Sequence, residues 1–268
     1  MSVLAELEAI WQAVVPDLPG FTVEHVPRID STNAELMRRA RTGDLSPVLL
    51  VADEQTAGRG RLGKPWHSRS GQSLTFSLAL PLAPADWSGL SLVVGISLAE
   101  SLHPQLRLKW PNDLWWQQRK LGGILVETAA PPNTHSHSTA SGQRLVVVGV
   151  GININRPDAA AVAAPAHSAL PAMAPAGLCE LCMGVTPGEA LARLAPPLVR
   201  DVLRFEAQGF AAFAPRFAAR DALHGLPVQL SDGSHGTACG VDDSGALRLQ
   251  TAQGLRTVHS GEVGVRPC

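Results

Sequence analysis

Lysine is nearly absent from this chain of 268 residues. Of its 22 cationic side chains only three are lysines, Lys64, Lys109 and Lys120, and all the other positive charges come from arginine. Each of the three lysines falls in one of the glycine- or proline-containing motifs described below. This placement favours a functional use for the few lysines that the sequence contains.

The chain also lacks an excess of charge of either sign. Its formal net charge is -1 and its pI is about 6.8, whereas general nucleic-acid or membrane-surface binders are usually more basic. The N-terminal segment lacks the charged-then-apolar pattern of a secretion signal, and apolar runs are broken before they reach the length of a membrane span. We therefore expect a cytoplasmic protein that binds neither nucleic acid nor membranes.

Cysteine is scarce, with four residues in the chain. Cys179 and Cys182 form a single C-x-x-C motif, and a structural zinc site would need two further ligands nearby. No strand leads into the pair, as it would in a thioredoxin-like redox motif. We expect ordinary reduced thiols.

Hydrophobic periodicity predicts a mixture of helices and strands, followed by a change of texture. Residues 2–15, 31–41, 87–102, 189–208 and 210–220 have helical patterns, and residues 21–28, 47–52, 74–80, 106–110, 123–127 and 145–150 have strand patterns. Residues 130–142 read as a polar loop, and residues 156–187 are weakly patterned. Four short strands, 227–230, 236–241, 246–250 and 255–259, are separated by turn residues and suit a small β-barrel. We expect domains at 1–222 and 223–268.

The most distinctive motif is the glycine–arginine segment from Gly58 to Trp66, G-R-G-R-L-G-K-P-W. Glycines let the backbone approach a ligand and turn N–H groups towards an anion. A P-loop is disfavoured because Pro65 stands where Ser or Thr would bind magnesium. A nucleic-acid-binding loop is disfavoured by the neutral overall charge. A phosphate-binding loop of another fold and a solvated basic turn remain.

Four further motifs each allow a functional and an ordinary interpretation. Lys109-Trp110-Pro111-Asn112-Asp113 could bind a nucleotide and, through Asp113, magnesium, or could be a simple turn. The segment 119–127 could hold a flat ligand against its glycines or form a hairpin edge. The alternating Asn153 and Asn155 could line a pocket or end a strand. In residues 30–33, helix capping alone explains Ser31 and Thr32.

The order and spacing of these motifs resemble one family. The series D-S-T-N, Q-x-A-G-R-G-R-x-G-x-x-W-x-S, K-W-P-N-D-L, R-K-L-x-G-I-L-V-E and G-x-G-I-N, spread over residues 30–153, closely resembles biotin protein ligases. The resemblance implies an α+β fold, with a class II synthetase-like mixed sheet flanked by helices and then a small SH3-like barrel. A lipoate or octanoyl ligase of the same fold and a non-catalytic nucleotide- or RNA-binding protein are the alternatives.

The resemblance also implies an activity. Such an enzyme uses ATP and Mg²⁺ to convert biotin to biotinyl-5'-AMP, and transfers biotin to a lysine of the biotin carboxyl carrier protein of acetyl-CoA carboxylase. Some members carry an N-terminal DNA-binding module. Only about 20 residues precede the first predicted strand, so we expect a ligase without a repressor role. We expect a monomer or a weak homodimer.

Finally, the resemblance implies roles by position. Catalytic roles fall on Lys120, Arg61 and Asp113, and the tentative magnesium ligand is Asp113. The implied biotin-binding residues are Ser31, Thr32, Asn33, Gln55, Arg59, Gly60, Arg61, Trp66, Lys120 and Gly123. The implied ATP-binding residues are Arg59, Arg61, Asn112, Lys120 and Asn153. Leu62 departs from the pattern, since a third arginine is expected there. All these roles require Arg61 and Lys120 to converge.

Overall fold

The computed structural model describes residues 3–130, 143–157, 174–259 and 265–267. Most of the predicted polar loop at 130–142, much of the weakly patterned segment 156–187, and Cys268 lie outside the described residues. In the part of the chain that is described, no helix combines the length and apolar composition needed to cross a bilayer.

A seven-stranded mixed sheet forms the larger part of the molecule. Strands β1 and β2 pair in parallel, and every other neighbouring pair is antiparallel, in the order β1-β2-β3-β7-β6-β5-β4. The strands are β1 (Thr22–Ile29), β2 (Val48–Gln55), β3 (Ser73–Leu82), β4 (Arg107–Lys109), β5 (Asp113–Trp116), β6 (Arg119–Ala129) and β7 (Arg144–Asn153).

Helices cover both faces of this sheet. They are α1 (Val3–Val14), α2 (Thr32–Arg41), α3 (Leu90–Leu102), α4 (Pro187–Gln208) and α5 (Ala214–Ala218). Helices α1, α3 and α4 pack on the face that carries most of the apolar core, and α2 packs on the other face. Helix α4 begins with a capping box between Thr186 and Glu189. It continues through Pro196 and Pro197, because burial of its apolar face offsets their cost.

Side chains of β3 point alternately to the two faces of the sheet, and this determines which of them reach the site. In β3, Leu74, Phe76 and Leu78 point into the main core, so Thr75 and Ser77 point to the α2 face. Both hydroxyl residues are almost fully buried there. Polar groups on a buried face need hydrogen-bond partners, and this face holds the candidate site.

A five-stranded antiparallel sheet follows, in the order β11-β10-β9-β8-β12. Its strands are β8 (Pro227–Leu230), β9 (His235–Val241), β10 (Leu247–Thr251), β11 (Gly254–Val258) and β12 (Val265–Pro267). Four of them match the predicted short strands, and β12 was not predicted. This sheet agrees with the expected small β unit, while the domain boundary at residue 222 stays a prediction.

Two predicted elements differ from the structure. No strand was predicted between residues 110 and 123, but the turn at residues 110–112 is followed by strand β5. Adjacent Trp115 and Trp116 obscure the alternation of this strand, which has an irregular register with β6. The predicted helix at 210–220 is instead a short 3-10 turn, Ala211–Phe213, followed by α5. Pro215 lies in the first turn of α5, where a missing N–H is tolerated.

Candidate functional site

The N-terminus of α2 is tied to the sheet by a network of side chains. The Thr32 N–H and hydroxyl both donate to Gln55 Oε1, at 2.7 and 3.0 Å. The Ser77 hydroxyl lies 2.7 Å from Thr32 Oγ1 and 2.6 Å from Asn33 Oδ1. The Asn33 amide donates to Glu127 Oε2 at 2.9 Å. The structure therefore brings Thr32, Asn33 and Gln55 into one network.

Ser31 caps α2 beside this network. It has an extended backbone, and its hydroxyl accepts from the Ala34 N–H at 3.4 Å. A cavity of about 190 Å³ lies next to it, lined by Ser31, Asn33, Ala34, Met37, Arg38, Arg41, Arg59 and Glu127. Ser31 and Arg59, which are 28 positions apart in the sequence, thus share a cavity wall.

Three glycines leave the sheet flat beneath the site. Gly123 of β6 pairs with Gly151 of β7, and Gly149 lies two residues earlier on the same face of β7. A Cβ at Gly149 would overlap the Asn33 amide, and one at Gly151 would overlap the Trp66 indole. A Cβ at Gly123 would lie 3.1 Å from Lys120 Nζ. These three residues, here called the glycine platform, let functional side chains lie directly on the backbone.

A group of cations surrounds Asp113 beside the glycine platform. Lys120 Nζ lies 2.7 Å from Asp113 Oδ1, and Lys109 Nζ lies 3.7 Å from Asp113 Oδ2. Arg61 Nη1 donates to Asn112 Oδ1 at 3.3 Å. We call Lys109, Lys120 and Arg61 the cation cluster. Arg61 and Lys120 come from two distant stretches of chain and contact the consecutive residues Asn112 and Asp113. The predicted roles require this convergence.

The electrostatics of this region suit an anionic ligand. Burial lowers the pKa of the Arg61 guanidinium, and the nearby Asp113 carboxylate opposes that shift. Lys109 and Lys120 contact the Asp113 carboxylate, and Arg61 contacts the neighbouring Asn112. Cationic groups gathered in a partly buried site attract phosphates and carboxylates.

Backbone contacts shape the glycine–arginine loop. The Gly60 N–H donates to the Lys64 carbonyl at 2.7 Å, and the Trp66 N–H donates to the Gly58 carbonyl at 2.9 Å. Leu62 lies at the tip with φ 55 and is 70% exposed. The position where a third arginine is expected therefore points to solvent.

Trp66 carries an unpaired donor into the site. Its indole lies over Gly151. Its Nε1 is buried and has no hydrogen-bond partner among the described residues. A buried N–H without a partner is costly, so a bound ligand that offers an acceptor would remove the penalty.

Comparisons with known proteins agree with this geometry. The sequence model of the Biotin/lipoate A/B protein ligase family matches residues 25–153, and that of the Biotin protein ligase C terminal domain matches residues 227–266. The chain is 35% identical over 250 residues to the biotin–[acetyl-CoA-carboxylase] ligase of Paracoccus denitrificans, covering 88% of this chain and 97% of that protein. This chain belongs to the biotin protein ligase family.

Other family members extend the comparison. The chain is 33% identical over 265 residues to the bifunctional ligase/repressor BirA of Escherichia coli strain K12, covering 94% of this chain and 77% of that protein. Among solved structures, the biotin protein ligase of Aquifex aeolicus in complex with biotin and ATP superposes with a TM-score of 0.71 at 27% identity. The match covers 92% of this chain and 99% of that one. The predicted family and fold class are confirmed.

Asn153 makes a contact that the family resemblance did not indicate. Its amide donates to the Ala176 carbonyl at 3.2 Å, and the Ala176 N–H donates to the Lys120 carbonyl at 2.9 Å. Asn153 therefore supports the strand that carries Lys120. Its predicted contact with ATP stays a prediction.

Several residues of the site were not predicted from the sequence. Gly149, Gly151, Ser77 and Glu127 all lie in the site but were not among the predicted residues. The glycines had a detectable signal, since residues 149 and 151 alternate in a strand and so share one face. Glu127 ends the R-K-L-x-G-I-L-V-E motif but was given no role, and Ser77 had no signal, because only strand pairing brings its hydroxyl to Asn33.

Proposed function

We propose that this protein is an ATP-dependent biotin protein ligase. It forms biotinyl-5'-AMP and then transfers biotin to a lysine of a biotin carboxyl carrier protein. The observation that carries the proposal is the convergence of Arg61 and Lys120 at Asn112 and Asp113, next to the glycine platform. The activities in the names of the Paracoccus denitrificans and Aquifex aeolicus relatives support it.

The α2 network would hold the ureido ring of biotin. The Thr32 hydroxyl donates to the Gln55 side-chain carbonyl, so the two polar groups already lie together. Ser31 lines the adjacent cavity. Trp66 would wall the pocket and offer its unpaired indole N–H. Asn33 would support the pocket from the side of the sheet, since its amide lies on the Gly149 backbone and donates to Glu127.

The cation cluster would serve the first reaction. An oxygen of the biotin carboxylate attacks the α-phosphorus of ATP, a P–O bond forms, and the bond to the pyrophosphate oxygen breaks. Carboxylate and phosphate repel each other, so the enzyme must neutralise and align them. Lys120 would contact both groups through its compact ammonium, and Arg61 through its forked donors. Arg59 and Gly60, from the same loop, would help to cover the adenylate.

Magnesium would enter with the nucleotide. Mg²⁺ accepts one or two carboxylates together with phosphate oxygens and water. Asp113 offers one such carboxylate beside Asn112, and none of the described residues form a group of three or more His, Cys, Asp or Glu that could hold a metal without the nucleotide. When bound, the ion would neutralise phosphate charge. To bind it, Asp113 would release Lys109, the longer of its two contacts.

The second reaction needs no nucleophile from this chain. The neutral amine of the acceptor lysine attacks the carbonyl carbon of the mixed anhydride, a C–N bond forms, and AMP leaves. The amine also loses a proton, and the Asp113 carboxylate, which the cation cluster surrounds, is the candidate acceptor. The loop at residues 58–66 would exclude water from the anhydride until the acceptor arrives.

We propose biotin and not lipoate as the substrate because of the C-terminal part of the chain. The Biotin/lipoate family model covers both kinds of ligase, but residues 227–266 match the C-terminal domain of biotin protein ligases. The decisive experiment incubates the protein with ATP, Mg²⁺, biotin and a carboxyl carrier domain. Mass spectrometry should then find one biotinyl group on one lysine.

Two controls accompany this experiment. A carrier domain with that lysine changed to arginine should stay unmodified, and lipoate should not replace biotin. Modification by lipoate and not by biotin would contradict the proposal. The monomeric or weakly dimeric state and the lack of nucleic-acid binding are further proposals, which sedimentation and a DNA-binding assay would test.

A further inference from the structure

Trp110 joins the K-W-P-N-D-L motif to the C-terminal sheet. Its side chain is 1% exposed. Its Nε1 donates to the Gly245 carbonyl at 2.9 Å, across 135 positions of sequence. Gly245 lies in the turn of residues 242–246 between β9 and β10, here called the barrel turn. Trp110 lies only two positions before Asn112 and three before Asp113. Its side chain therefore links that segment to the barrel turn of the small sheet.

The barrel turn is rigid for a local reason. Asp242 Oδ1 accepts from the Ser244 N–H at 2.9 Å, the Ser244 hydroxyl at 2.7 Å and the Ala246 N–H at 3.0 Å. The Gly245 N–H also donates to the Asp242 carbonyl at 2.9 Å. These bonds orient the Gly245 carbonyl that Trp110 contacts.

The barrel turn is also packed against the larger part of the molecule without free space. A Cβ at Gly245 would lie 2.9 Å from Gly89 Cα and 3.1 Å from Leu92 Cδ1. Gly89 is the N-cap residue of α3, with φ 81, and a Cβ there would overlap the Phe210 ring. The turn thus fits between the start of α3 and the Trp110 indole.

A second contact holds the other end of the same segment. The Leu108 N–H donates to the Arg220 carbonyl at 2.8 Å, and the Ala222 N–H donates to the Leu108 carbonyl at 2.9 Å. Beyond Trp110, Asn112 exchanges two hydrogen bonds with Ile124 of β6, at 2.9 and 3.0 Å. Trp110 lies between these two anchors, where the chain turns from β4 into β5.

We propose that the barrel turn is a positioning element of the catalytic site. Through Trp110 it fixes the segment 109–113, so that Asn112 meets Arg61 and Asp113 meets Lys120. Trp110 and Asp242 are positioning residues, because they act through Asn112 and Asp113 and are not among the residues predicted to bind biotin or ATP. This inference rests on the proposed function for its kinetic test, but its structural content is independent of it.

The kinetic test compares two matched variants of the small sheet. Asp242→Ala frees the barrel turn. Asp232→Ala frees the turn between β8 and β9, where Asp232 Oδ1 accepts from the Ser234 N–H at 2.9 Å and from the Ser234 hydroxyl. Each variant removes an aspartate that accepts hydrogen bonds within a turn of the same sheet. Of these two turns, the first accepts the hydrogen bond from Trp110, through the Gly245 carbonyl. Trp110→Phe is the third variant, since it keeps a large ring and removes the donor.

Biotin-dependent exchange of pyrophosphate with ATP gives the kinetic readout. Asp242→Ala and Trp110→Phe should lower kcat roughly ten- to a hundredfold, the cost of a small misplacement of reacting groups. Binding of biotin alone, measured by calorimetry, should change less than about twofold, because the α2 network lies elsewhere on the sheet. Asp232→Ala should leave both close to wild type. An equal loss in both aspartate variants, or an equal loss of biotin binding and kcat, would overturn the proposal.

Hydrogen exchange separates this inference from the proposed function. The Ile124 amide donates to the Asn112 carbonyl, so it should exchange faster in Asp242→Ala and Trp110→Phe than in Asp232→Ala. If the wild-type protein shows no biotin-dependent exchange of pyrophosphate with ATP, the proposed function alone is refuted. Equal protection of Ile124 in all three variants would refute the positioning role only.

Discussion

At the scale of single residues, Lys120 differs from its neighbour Arg119 in what its charge contacts. Lys120 Nζ lies beside Asp113 and the glycine platform, whereas Arg119 pairs with Glu180 at 2.8 Å. Lys120→Ala should lower biotinyl-5'-AMP formation by several orders of magnitude, because the lost charge acts in the transition state. Single-turnover formation of the adenylate measures this effect.

Arg119→Ala is the matched control for Lys120→Ala. It removes a cation from the adjacent position of the same strand, and the rate of adenylate formation should stay within about threefold of wild type. Normal adenylate synthesis by Lys120→Ala would remove Lys120 from its proposed role.

Trp66 gives a second prediction, which concerns a single hydrogen bond. Because its buried Nε1 has no partner among the described residues, Trp66→Phe should not destabilise the free protein through that atom. Biotin affinity should fall about five- to tenfold, since one donor worth roughly 1 kcal/mol is lost. Calorimetry with biotin measures the change.

Trp11→Phe serves as the control for Trp66. Trp11 is a residue of α1, outside the candidate site, and its indole donates to the Phe21 carbonyl at 3.0 Å. That variant should lose some stability and keep wild-type biotin affinity. If Trp66→Phe also binds biotin as tightly as wild type, the indole N–H does not reach the ligand.

At the scale of elements, a side-chain hydrogen bond from Arg61 joins the glycine–arginine loop to the segment between β4 and β5. Arg61 donates to Asn112, while Lys64 of the same loop is exposed. Arg61→Gly should release biotinyl-5'-AMP early, so that lysines of bystander proteins become labelled. Blotting for biotin in a mixture of carrier domain and an unrelated protein measures the loss of selectivity.

Lys64→Ala tests whether loop charge alone explains such a result. It removes a cation from the loop without touching Asn112, so acceptor selectivity should be retained. Unchanged selectivity in Arg61→Gly would contradict closure of the loop through Arg61.

The elements themselves were largely predictable from local pattern. The periodicity predicted helices at 31–41 and 189–208; the structure begins α2 at Thr32, after the N-cap Ser31, and α4 at Pro187, two residues before the predicted start. Strand β5 was not predictable, because its two adjacent tryptophans hide the period of two. Its identity depends on pairing with β4 and β6, which local sequence does not encode.

At the scale of the whole molecule, the connection between the two sheets contains an unusual carboxylate. Asp221 Oδ1 accepts from the Leu223 N–H at 2.8 Å, while Oδ2 is buried without a partner among the described residues. Burial raises the pKa of Asp221, and the Leu223 N–H and the charge of His224 oppose that rise. The folded protein therefore disfavours the ionised form.

This shift predicts a pH dependence of stability with a definite sign. Between its ordinary pKa and the raised one, Asp221 binds more protons in the folded state, so its contribution to stability falls as pH rises. Asp221→Asn cannot titrate, so its free energy of unfolding relative to wild type should increase over that window and then level off. Urea unfolding of both proteins from about pH 4 to pH 8 measures the difference. A constant difference across that range would contradict the raised pKa.

The sequence alone determined the family and most of the element types, and it supplied the predictions for the charged site residues, whose roles stay predictions. It could do so because helix caps, strand alternation and the spacing of the motifs are local properties of the chain. Ser31, Thr32, Gln55, Arg61, Asn112, Asp113 and Lys120 were all named from it.

Only the tertiary structure decided which of these groups meet. Strand pairing brought Gly123, Gly149 and Gly151 onto one face, and placed Ser77 beneath Asn33. Packing of the two sheets joined Trp110 to Gly245. Such contacts depend on register and on pairing between distant segments, and a buried donor takes whichever acceptor the fold places within its reach.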